Sequence, residues 1–185
     1  INLGSLGFLT QQRHEHLVGA LASVESGNFH VEERMLLQTE VSGTTPLPCA
    51  LNDVVVSNAP VSRVIDINLK VNGEDVVTYT SDGLILATPT GSTAYSLAAG
   101  GPIMHPALAG ILLTPICPFT LTNRPLIVPE SSHIKIQLAE RSADIMLTFD
   151  GQVGLPIDET HAILVRKADR PVNLITLPER NFFDV

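Results

Sequence analysis

The segment 88–102, which reads TPTGSTAYSLAAGGP, contains residue types that suit phosphate or ribose oxygens. Pro89 and Gly91 predict a loop, the run 94–99 favours a short helix, and Gly100 and Gly101 end it. A helix N-terminus presents unpaired N–H groups and a positive dipole end, so hydroxyls beside it can share an oxygen-rich ligand. The hydroxyls in this position belong to Thr90, Ser92, Thr93 and Ser96. The alternative is that Ser92 or Thr93 caps the helix and that the hydroxyls satisfy the loop's own backbone.

A second polar pair, Asn52 and Asp53, stands at the head of the apolar run 54–56. An amide can pair with the edge of a base, and a carboxylate can accept hydrogen bonds from both hydroxyls of a ribose diol. The pair is equally compatible with an ordinary turn or strand end, so its chemistry is a hypothesis at this point.

Two Asp-Gly pairs predict turns. Asp82 and Gly83 precede the strand that leads into the hydroxyl-rich loop. Asp150 and Gly151 predict a hairpin turn after the strand that ends at 149, with Gln152 just beyond it. In isolation both pairs are typical of structure rather than of a site.

Other chemistries find no support in the residue pattern. The sequence has no P-loop lysine and no Gly-x-Gly-x-x-Gly fingerprint, and its 6 histidines have no metal-site spacing. No serine lies in a Gly-x-Ser-x-Gly elbow, so a hydrolase is unsupported. We therefore predict neither a metal site nor a nucleophilic catalytic group.

The elements that must position these residues are mostly strands. Short runs rich in Val, Ile, Leu and Thr alternate with turn residues, which is typical of antiparallel sheets. Asn72 and Gly73 predict a tight type I′ hairpin. A helix is predicted from a cap at Thr10 to an end at Gly27 and Asn28, and the segments 134–138 and 145–149 can pair with each other. The predicted strands are 35–41, 51–57, 64–71, 76–79, 84–87, 111–115, 134–138, 145–149 and 162–166.

Composition narrows the class of protein. With 185 residues, 44% hydrophobic residues, 16% charged residues and a mean hydropathy of +0.26, the chain has the composition of a packed globular protein. Its formal net charge of -8 disfavours nucleic acid and anionic membrane surfaces as partners. Cys49 and Cys117 do not make a disulfide framework, and no apolar run reaches membrane-spanning length. We expect a cytoplasmic protein.

Five segments, taken in order, closely resemble the NAD kinase family: LGSLGFLT at 3–10, ALNDVVV at 50–56, SDGLILATPTGSTAYSLAAGGPI at 81–103, NRPLIVP at 123–129 and FDGQ at 149–152. The resemblance spans nearly the whole chain. It implies a mostly β fold with some α-helix, namely the C-terminal β domain of that family with a short helix after the TPTGSTAY loop. It further implies that 1–28 is the strand-helix remnant of an N-terminal α/β domain and that 29–185 is the NAD-binding domain.

The resemblance implies transfer of the γ-phosphate of ATP, or of polyphosphate, to the 2′-hydroxyl of the adenosine ribose of NAD, giving NADP. It also implies Mg²⁺ or another divalent cation, and association as a homodimer or homotetramer. Tyr95 would offer a flat face for stacking on a ring, and Asp82 matches a carboxylate that a neighbouring subunit sometimes contributes. The residues implied in dinucleotide binding are Asn52, Asp53, Arg63, Asp82, Thr90, Thr93, Ala94, Tyr95, Ser96, Ala98, Cys117 and Gln152.

Two features depart from the family pattern. The Gly-Gly-Asp-Gly motif, whose Asp is the expected catalytic base, normally lies upstream of LGSLGFLT and is absent from this sequence. Thr80 stands where similar enzymes often have Arg or Lys. Because the chain begins at Ile1, we expect a truncated N-terminus. Because the expected base and part of the donor site are absent, we expect the chain alone to bind NAD or NADP weakly or moderately and to show no appreciable kinase turnover. The alternatives are a non-catalytic dinucleotide-binding or oligomerisation module and a lipid-kinase relative, which the polar loop disfavours.

Overall fold

Alternating aliphatic residues build most of the secondary structure of the computed structural model, which describes residues 14–44, 46–58, 64–120, 123–139 and 145–178. The strands are β1 (His30–Arg34), β2 (Leu37–Val41), β3 (Asp53–Asn58), β4 (Ile65–Val71), β5 (Glu74–Ser81), β6 (Gly83–Ala87), β7 (Gly110–Ile116), β8 (Leu126–Pro129), β9 (Ile134–Leu138), β10 (Ile145–Phe149), β11 (Val153–Ile157), β12 (Ala162–Lys167) and β13 (Val172–Thr176). The helices are α1 (Leu17–Glu25) and the short α2 (Tyr95–Ala98), and 3-10 turns span His14–His16 and Thr90–Thr93. The mostly β fold with few helices is as predicted.

The chain forms two compact units. One contains Ile1–Arg34 and Pro171–Val185, and the other contains Met35–Arg170. In the first unit β1 pairs with β13, which joins residues from both ends of the chain in one two-stranded sheet. The boundary thus lies at Arg34, six residues beyond the predicted 28, and the predicted division did not assign the C-terminal segment to the first unit. Whether that unit is the remnant of an α/β domain stays a prediction.

Two antiparallel sheets form the second unit. The first has the strand order β11-β10-β3-β6-β7-β8, and the second has the order β2-β12-β9-β4-β5. Alternate residues of both sheets, such as Val54, Leu86 and Phe149 in the first and Ile67 and Ile136 in the second, share one buried cluster. A smaller cluster that includes Ile85, Leu112 and Met104 lies on the other side of the six-stranded sheet. Consequently every residue of β6 is buried, as expected for a strand with both faces covered.

Positive φ angles at two turns fix two hairpins. Asn72 and Gly73 have φ values of 53° and 88°, and Asp150 and Gly151 have values of 50° and 65°. Both pairs match the left-handed backbone that a type I′ turn requires. The predicted hairpins between β4 and β5 and after β10 are confirmed by the strand pairing.

The predicted pairing of 134–138 with 145–149 is wrong. The bounds of both strands are as predicted, but β9 pairs with β12 and β4, whereas β10 pairs with β3 and β11 in the other sheet. An alternating apolar pattern is satisfied equally well by either sheet, so it does not choose the partner. The sequence pattern did not predict β1, β8 or β13 and gave no bounds for β11. Charged residues weaken the strand signal of β1, and prolines weaken that of β8 and β11.

Helix α1 ends as the sequence predicts. Gly27 has a φ of 76°, and the N–H of Asn28 donates to the carbonyl of Ser23 at 2.8 Å, which is a Schellman cap. The predicted N-cap, Thr10, lies outside the described residues. Neither described helix has the length and apolar character that a membrane span requires.

Candidate functional site

Three segments that are far apart in sequence meet at one end of the six-stranded sheet. Asp53 opens β3 opposite Ala87, which closes β6, and Val54 lies opposite Phe149, which closes β10. We call the segments beyond this end, namely 51–53, 88–98 and 150–152, the loop edge. The antiparallel register thus places the Asn-Asp pair, the hydroxyl-rich loop and the Asp150 turn side by side.

The Asp150 carboxylate binds three successive backbone N–H groups. Its Oδ2 accepts from Leu51 at 2.8 Å, and its Oδ1 accepts from Asn52 at 2.7 Å and from Asp53 at 3.0 Å. The Asp150 N–H in turn donates to the carbonyl of Asp53 at 3.0 Å. A residue predicted only as a turn former therefore holds the start of β3.

Thr88 ties the same segment to the hydroxyl-rich loop. Its hydroxyl donates to the carbonyl of Leu51 at 2.6 Å and accepts from the N–H of Gly91 at 3.0 Å. Its own N–H donates to the carbonyl of Asn52 at 2.9 Å. Gly91 lies directly on this backbone, since a Cβ added there would be 1.9 Å from the Asn52 oxygen. Only glycine allows so close an approach.

The loop hydroxyls do not cap α2 as the sequence suggested. Ala94 occupies the N-cap position and makes no side-chain cap hydrogen bond. The Ser92 hydroxyl instead donates to the carbonyl of Pro89 at 2.6 Å and accepts from the N–H of Met104 at 2.9 Å. Thr93 donates to the carbonyl of Thr90 at 3.2 Å. The prediction that Ser92 or Thr93 caps the helix is therefore wrong, because 3-10 geometry directs both hydroxyls back to preceding carbonyls.

The remaining predicted residues of the loop differ in how far their side chains are exposed to solvent. The Ser96 hydroxyl is fully buried and lies 2.8 Å from the Thr114 hydroxyl, so it has a partner inside the protein. Ala94 and Ala98 are exposed, and Thr93 is half-buried. Tyr95 is 47% exposed, which leaves much of its ring open to a ligand. A ligand at the loop edge would thus meet the ring of Tyr95 and the backbone around it rather than the Ser96 hydroxyl.

Asp53 is the titratable group with the largest functional interest at the loop edge. It is only 4% exposed, whereas its neighbour Asn52 is half-buried. Burial, followed by repulsion from Asp150, raises the pKa of Asp53 from 3.8 to about 6. Perturbed carboxyl groups of this kind are typical of binding and catalytic sites, although structural networks also produce them.

Two other predicted residues lie at the opposite end of the same sheet. Asp82 precedes β6 and Cys117 follows β7, and the Asp82 N–H donates to the carbonyl of Ile116 at 3.0 Å. Because the six residue steps from Asp82 to Thr88 run along β6, this end lies about 20 Å from the loop edge at about 3.3 Å per residue. The structure therefore brings Asp82 and Cys117 together but does not bring them to the loop edge. Gln152 is exposed beside the Asp150 turn, and Arg63 lies outside the described residues.

Sequence reasoning missed the positions that organise the loop edge, namely Asp150, Thr88 and Gly91. The signal for Asp150 was an Asp in a left-handed Asp-Gly turn, where the carboxylate can bend back over its own strand and the neighbouring one. Thr88, placed directly after a fully buried strand, was likewise positioned to satisfy backbone groups inside the fold. The close packing of Gly91 had no sequence signal beyond the glycine itself.

The donors and acceptors at the loop edge suit a nucleotide better than a metal ion. Among the described side chains, there is no group of three or more His, Cys, Asp or Glu residues that could hold a metal. An amide, a buried carboxylate and a half-exposed aromatic ring instead offer a base partner, a diol acceptor and a stacking surface.

Known proteins share both the sequence and the fold. The sequence pattern of the ATP-NAD kinase C-terminal domain matches residues 51–177. The chain is 47% identical to the NAD kinase of Desulfatibacillum aliphaticivorans, over 100% of this chain and 66% of that protein, so it spans just under two thirds of that relative. Yeast NADH kinase, solved with NADH, superposes with a TM-score of 0.84 at 31% identity, over 98% of this chain and 54% of that one. An NAD kinase from Archaeoglobus fulgidus, solved with ATP, gives a TM-score of 0.82 at 29% identity, over 99% of this chain and 69% of that one.

These matches agree with the loop edge described above, since the matched region 51–177 contains each of its three segments. The domain pattern covers more than half of the chain, and both the sequence relative and the solved structures are kinases of NAD or NADH. The chain therefore belongs to the ATP-NAD kinase C-terminal domain family.

Proposed function

We propose that this chain forms the dinucleotide-binding part of an NAD kinase. The reaction is transfer of the γ-phosphate of ATP, or of polyphosphate, to the 2′-hydroxyl of the adenosine ribose of NAD to give NADP. The observation that carries the proposal is the joining of Asn52, Asp53 and the 88–98 loop at one end of a sheet in a member of this family.

The acceptor site would lie at the start of β3. The Asp53 carboxylate can accept hydrogen bonds from both hydroxyls of a ribose, and the Asn52 amide can pair with the edge of adenine. The structural relative solved with NADH supports a dinucleotide as the ligand of this fold.

The 88–98 loop would lie along the bound dinucleotide. The half-exposed ring of Tyr95 suits stacking on a ring of the ligand, and Thr90, Thr93, Ala94 and Ala98 would shape the surface beside it. The buried Ser96 would support the loop from inside through its contact with Thr114. Thr88 and Gly91 support this arrangement because they lock the loop onto the backbone of Asn52.

The chain would contribute alignment of the acceptor alcohol. Phosphoryl transfer depends largely on positioning and on stabilising charge, so a fixed ribose hydroxyl is a substantial part of the catalysis. A divalent cation, Mg²⁺ or another, would accompany the triphosphate of ATP and neutralise charge there. The relative solved with ATP supports ATP as the donor.

Asp82 and Cys117 would serve the site of a neighbouring subunit in a homodimer or homotetramer. Cys117 is exposed and Asp82 is half-buried, and both lie at the end of the sheet away from the loop edge. A second copy could bring this end against the loop edge of the first and complete its pocket. Arg63 and Gln152 remain proposed pocket residues on the resemblance alone.

Calorimetric titration with NAD tests the proposal. The unmodified chain should bind NAD saturably, and the Asn52→Ala, Asp53→Ala double variant should lose that binding. Asn173→Ala, which changes an exposed asparagine of β13, is the matched control and should bind as the unmodified chain does. Absence of binding by the unmodified chain, or equal binding by the double variant, would overturn the proposal.

A further inference from the structure

The Asp150 carboxylate carries three hydrogen bonds that no ligand-binding role explains. We propose that Asp150 is a positioning residue, whose carboxylate fixes the backbone from which Asn52 and Asp53 project toward the dinucleotide. The inference rests on the proposed function, because it explains what holds the proposed dinucleotide site in its geometry.

Every backbone polar group of 51–53 is bound. The three N–H groups donate to Asp150, as described above. The three carbonyls accept from the Thr88 hydroxyl at 2.6 Å, the Thr88 N–H at 2.9 Å and the Asp150 N–H at 3.0 Å, respectively. A segment whose donors and acceptors are all engaged has one backbone conformation, and Asp150 supplies four of the six bonds.

These bonds do not come from the regular sheet ladder. The pairing of β3 with β6 and β10 begins at Asp53 and Val54, so the N–H groups of Leu51 and Asn52 lie beyond it. Without the carboxylate, these two N–H groups would lose their partner, and half-buried donors without partners are costly. Asp150 therefore extends the ordered strand to the residues that the function uses.

The left-handed turn aims the carboxylate. Asp150 has a φ of 50° and Gly151 a φ of 65°, a conformation that Asp and Asn adopt more readily than other side chains. Asparagine at position 150 preserves the turn, but its NH₂ group would oppose a backbone N–H. Asp150→Asn thus removes the charge and the acceptor of the Leu51 N–H, while leaving the hairpin and one acceptor oxygen intact.

The pKa of Asp53 distinguishes the charge of the Asp150 carboxylate from the packing of its side chain. Among the described residues, Asp150 is the charged group that acts on Asp53, and its charge disfavours ionisation of that carboxyl. The affinity for NAD should therefore weaken as pH falls through the titration of Asp53. In Asp150→Asn this midpoint should move to lower pH, whereas loss of packing alone would leave it in place.

The experiment compares the unmodified chain with Asp150→Asn, Asp150→Gly and Asp158→Asn. Glycine also accepts the left-handed turn, so it provides a second variant if the amide disturbs folding. Asp158 is the matched control, because it is an exposed aspartate after β11 that accepts the N–H of Thr160 at 2.9 Å. Amide hydrogen exchange is measured at 51, 52 and 53, together with NAD affinity across pH.

Asp150→Gly should exchange all three amides at least about tenfold faster and bind NAD about tenfold or more weakly. Asp150→Asn should speed exchange mainly at Leu51, weaken NAD binding and show the shifted midpoint. Asp158→Asn should match the unmodified chain. Unchanged exchange, or unchanged NAD affinity and midpoint in Asp150→Asn, would overturn the inference. If the unmodified chain binds no NAD, the proposed function fails, and the exchange rates still decide whether Asp150 holds the segment.

Discussion

Replacement of Asp53 by asparagine should stabilise the protein at mildly alkaline pH and weaken its binding of NAD. The side chain is 4% exposed, and burial together with the charge of Asp150 raises its pKa to about 6. Asparagine has nearly the same volume and no charge, so the substitution removes the cost of ionisation without creating a cavity.

The direction of this stability change follows from the protonation of Asp53 in the folded and in the unfolded chain. The folded protein holds the Asp53 proton more tightly than the unfolded chain does, so folding is favoured while that proton is bound. This contribution is fully present below the unfolded pKa of 3.8 and is lost as pH rises through about 6. A difference of about two pKa units, at about 1.4 kcal/mol per unit, gives a cost on the order of 3 kcal/mol above pH 7.

Urea denaturation at about pH 4 and at about pH 8 measures the effect. At the higher pH, Asp53→Asn should raise the free energy of unfolding by about 1 to 3 kcal/mol, and near pH 4 the difference should nearly vanish. Glu159→Gln, at an exposed turn, removes a carboxylate without burial and should leave the pH dependence unchanged.

The ligand provides an independent arm of the same prediction. Hydrogen bonds from a ribose diol favour the ionised carboxylate, so NAD binding near pH 6, where Asp53 is about half protonated, should release up to about half a proton from it. Titrations in buffers of different ionisation enthalpy measure this release, which Asp53→Asn should abolish. If the variant is no more stable than the unmodified chain at pH 8, or still releases the proton, the assignment of a costly buried charge to Asp53 is refuted.

Two further substitutions test the loop. Gly91→Ala places a Cβ 1.9 Å from the Asn52 oxygen and should lower the free energy of unfolding in urea by about 2 kcal/mol or more. Gly19→Ala, in α1, meets open space and should not lower it. Equal stability of the two variants would contradict the packing argument. Tyr95→Ala should change stability by less than about 1 kcal/mol but weaken NAD binding about tenfold through lost stacking. Leu97→Ala, at 40% exposed on the same helix, should leave the affinity unchanged, and a Tyr95 variant that binds equally well would exclude stacking.

Short sequence patterns correctly predicted the turns and strand bounds that depend on neighbouring residues. Asn72 and Gly73 adopt the type I′ turn because few other residues tolerate their φ angles, and 134–138 and 145–149 form strands over the predicted bounds. Which sheet each strand joins depends on pairing with β4 and β12 in one case and with β3 and β11 in the other, which the alternation of side chains does not encode. The predicted pairing of these two strands failed for that reason.

The candidate site shows the same division. The sequence predicts where the hydroxyl-rich loop begins and ends, but some partners of its hydroxyls come from outside the loop, as with Ser92 and the N–H of Met104 or Ser96 and Thr114. Asp150 and Leu51 are separated by 99 positions, so no local reading of Asp-Gly could have shown that this carboxylate holds the start of β3. The residues proposed to contact a ligand were thus named from the sequence, whereas the residue that holds them in place was recognised only in the structure.

The strand β6 places two parts of one continuous sequence motif at opposite ends of the sheet. Asp82 and Thr88 flank the same five-residue strand, and an extended strand necessarily carries the residues on its two flanks to opposite ends of the sheet. The motif SDGLILATPTGSTAYS is continuous in sequence, yet its first carboxylate and its loop are separated by the length of β6. For both to act on one dinucleotide, either the ligand must span the strand or a second copy must supply the carboxylate. In the proposed assembly the second arrangement would apply, and the unbroken sequence motif would then contribute to two half-sites.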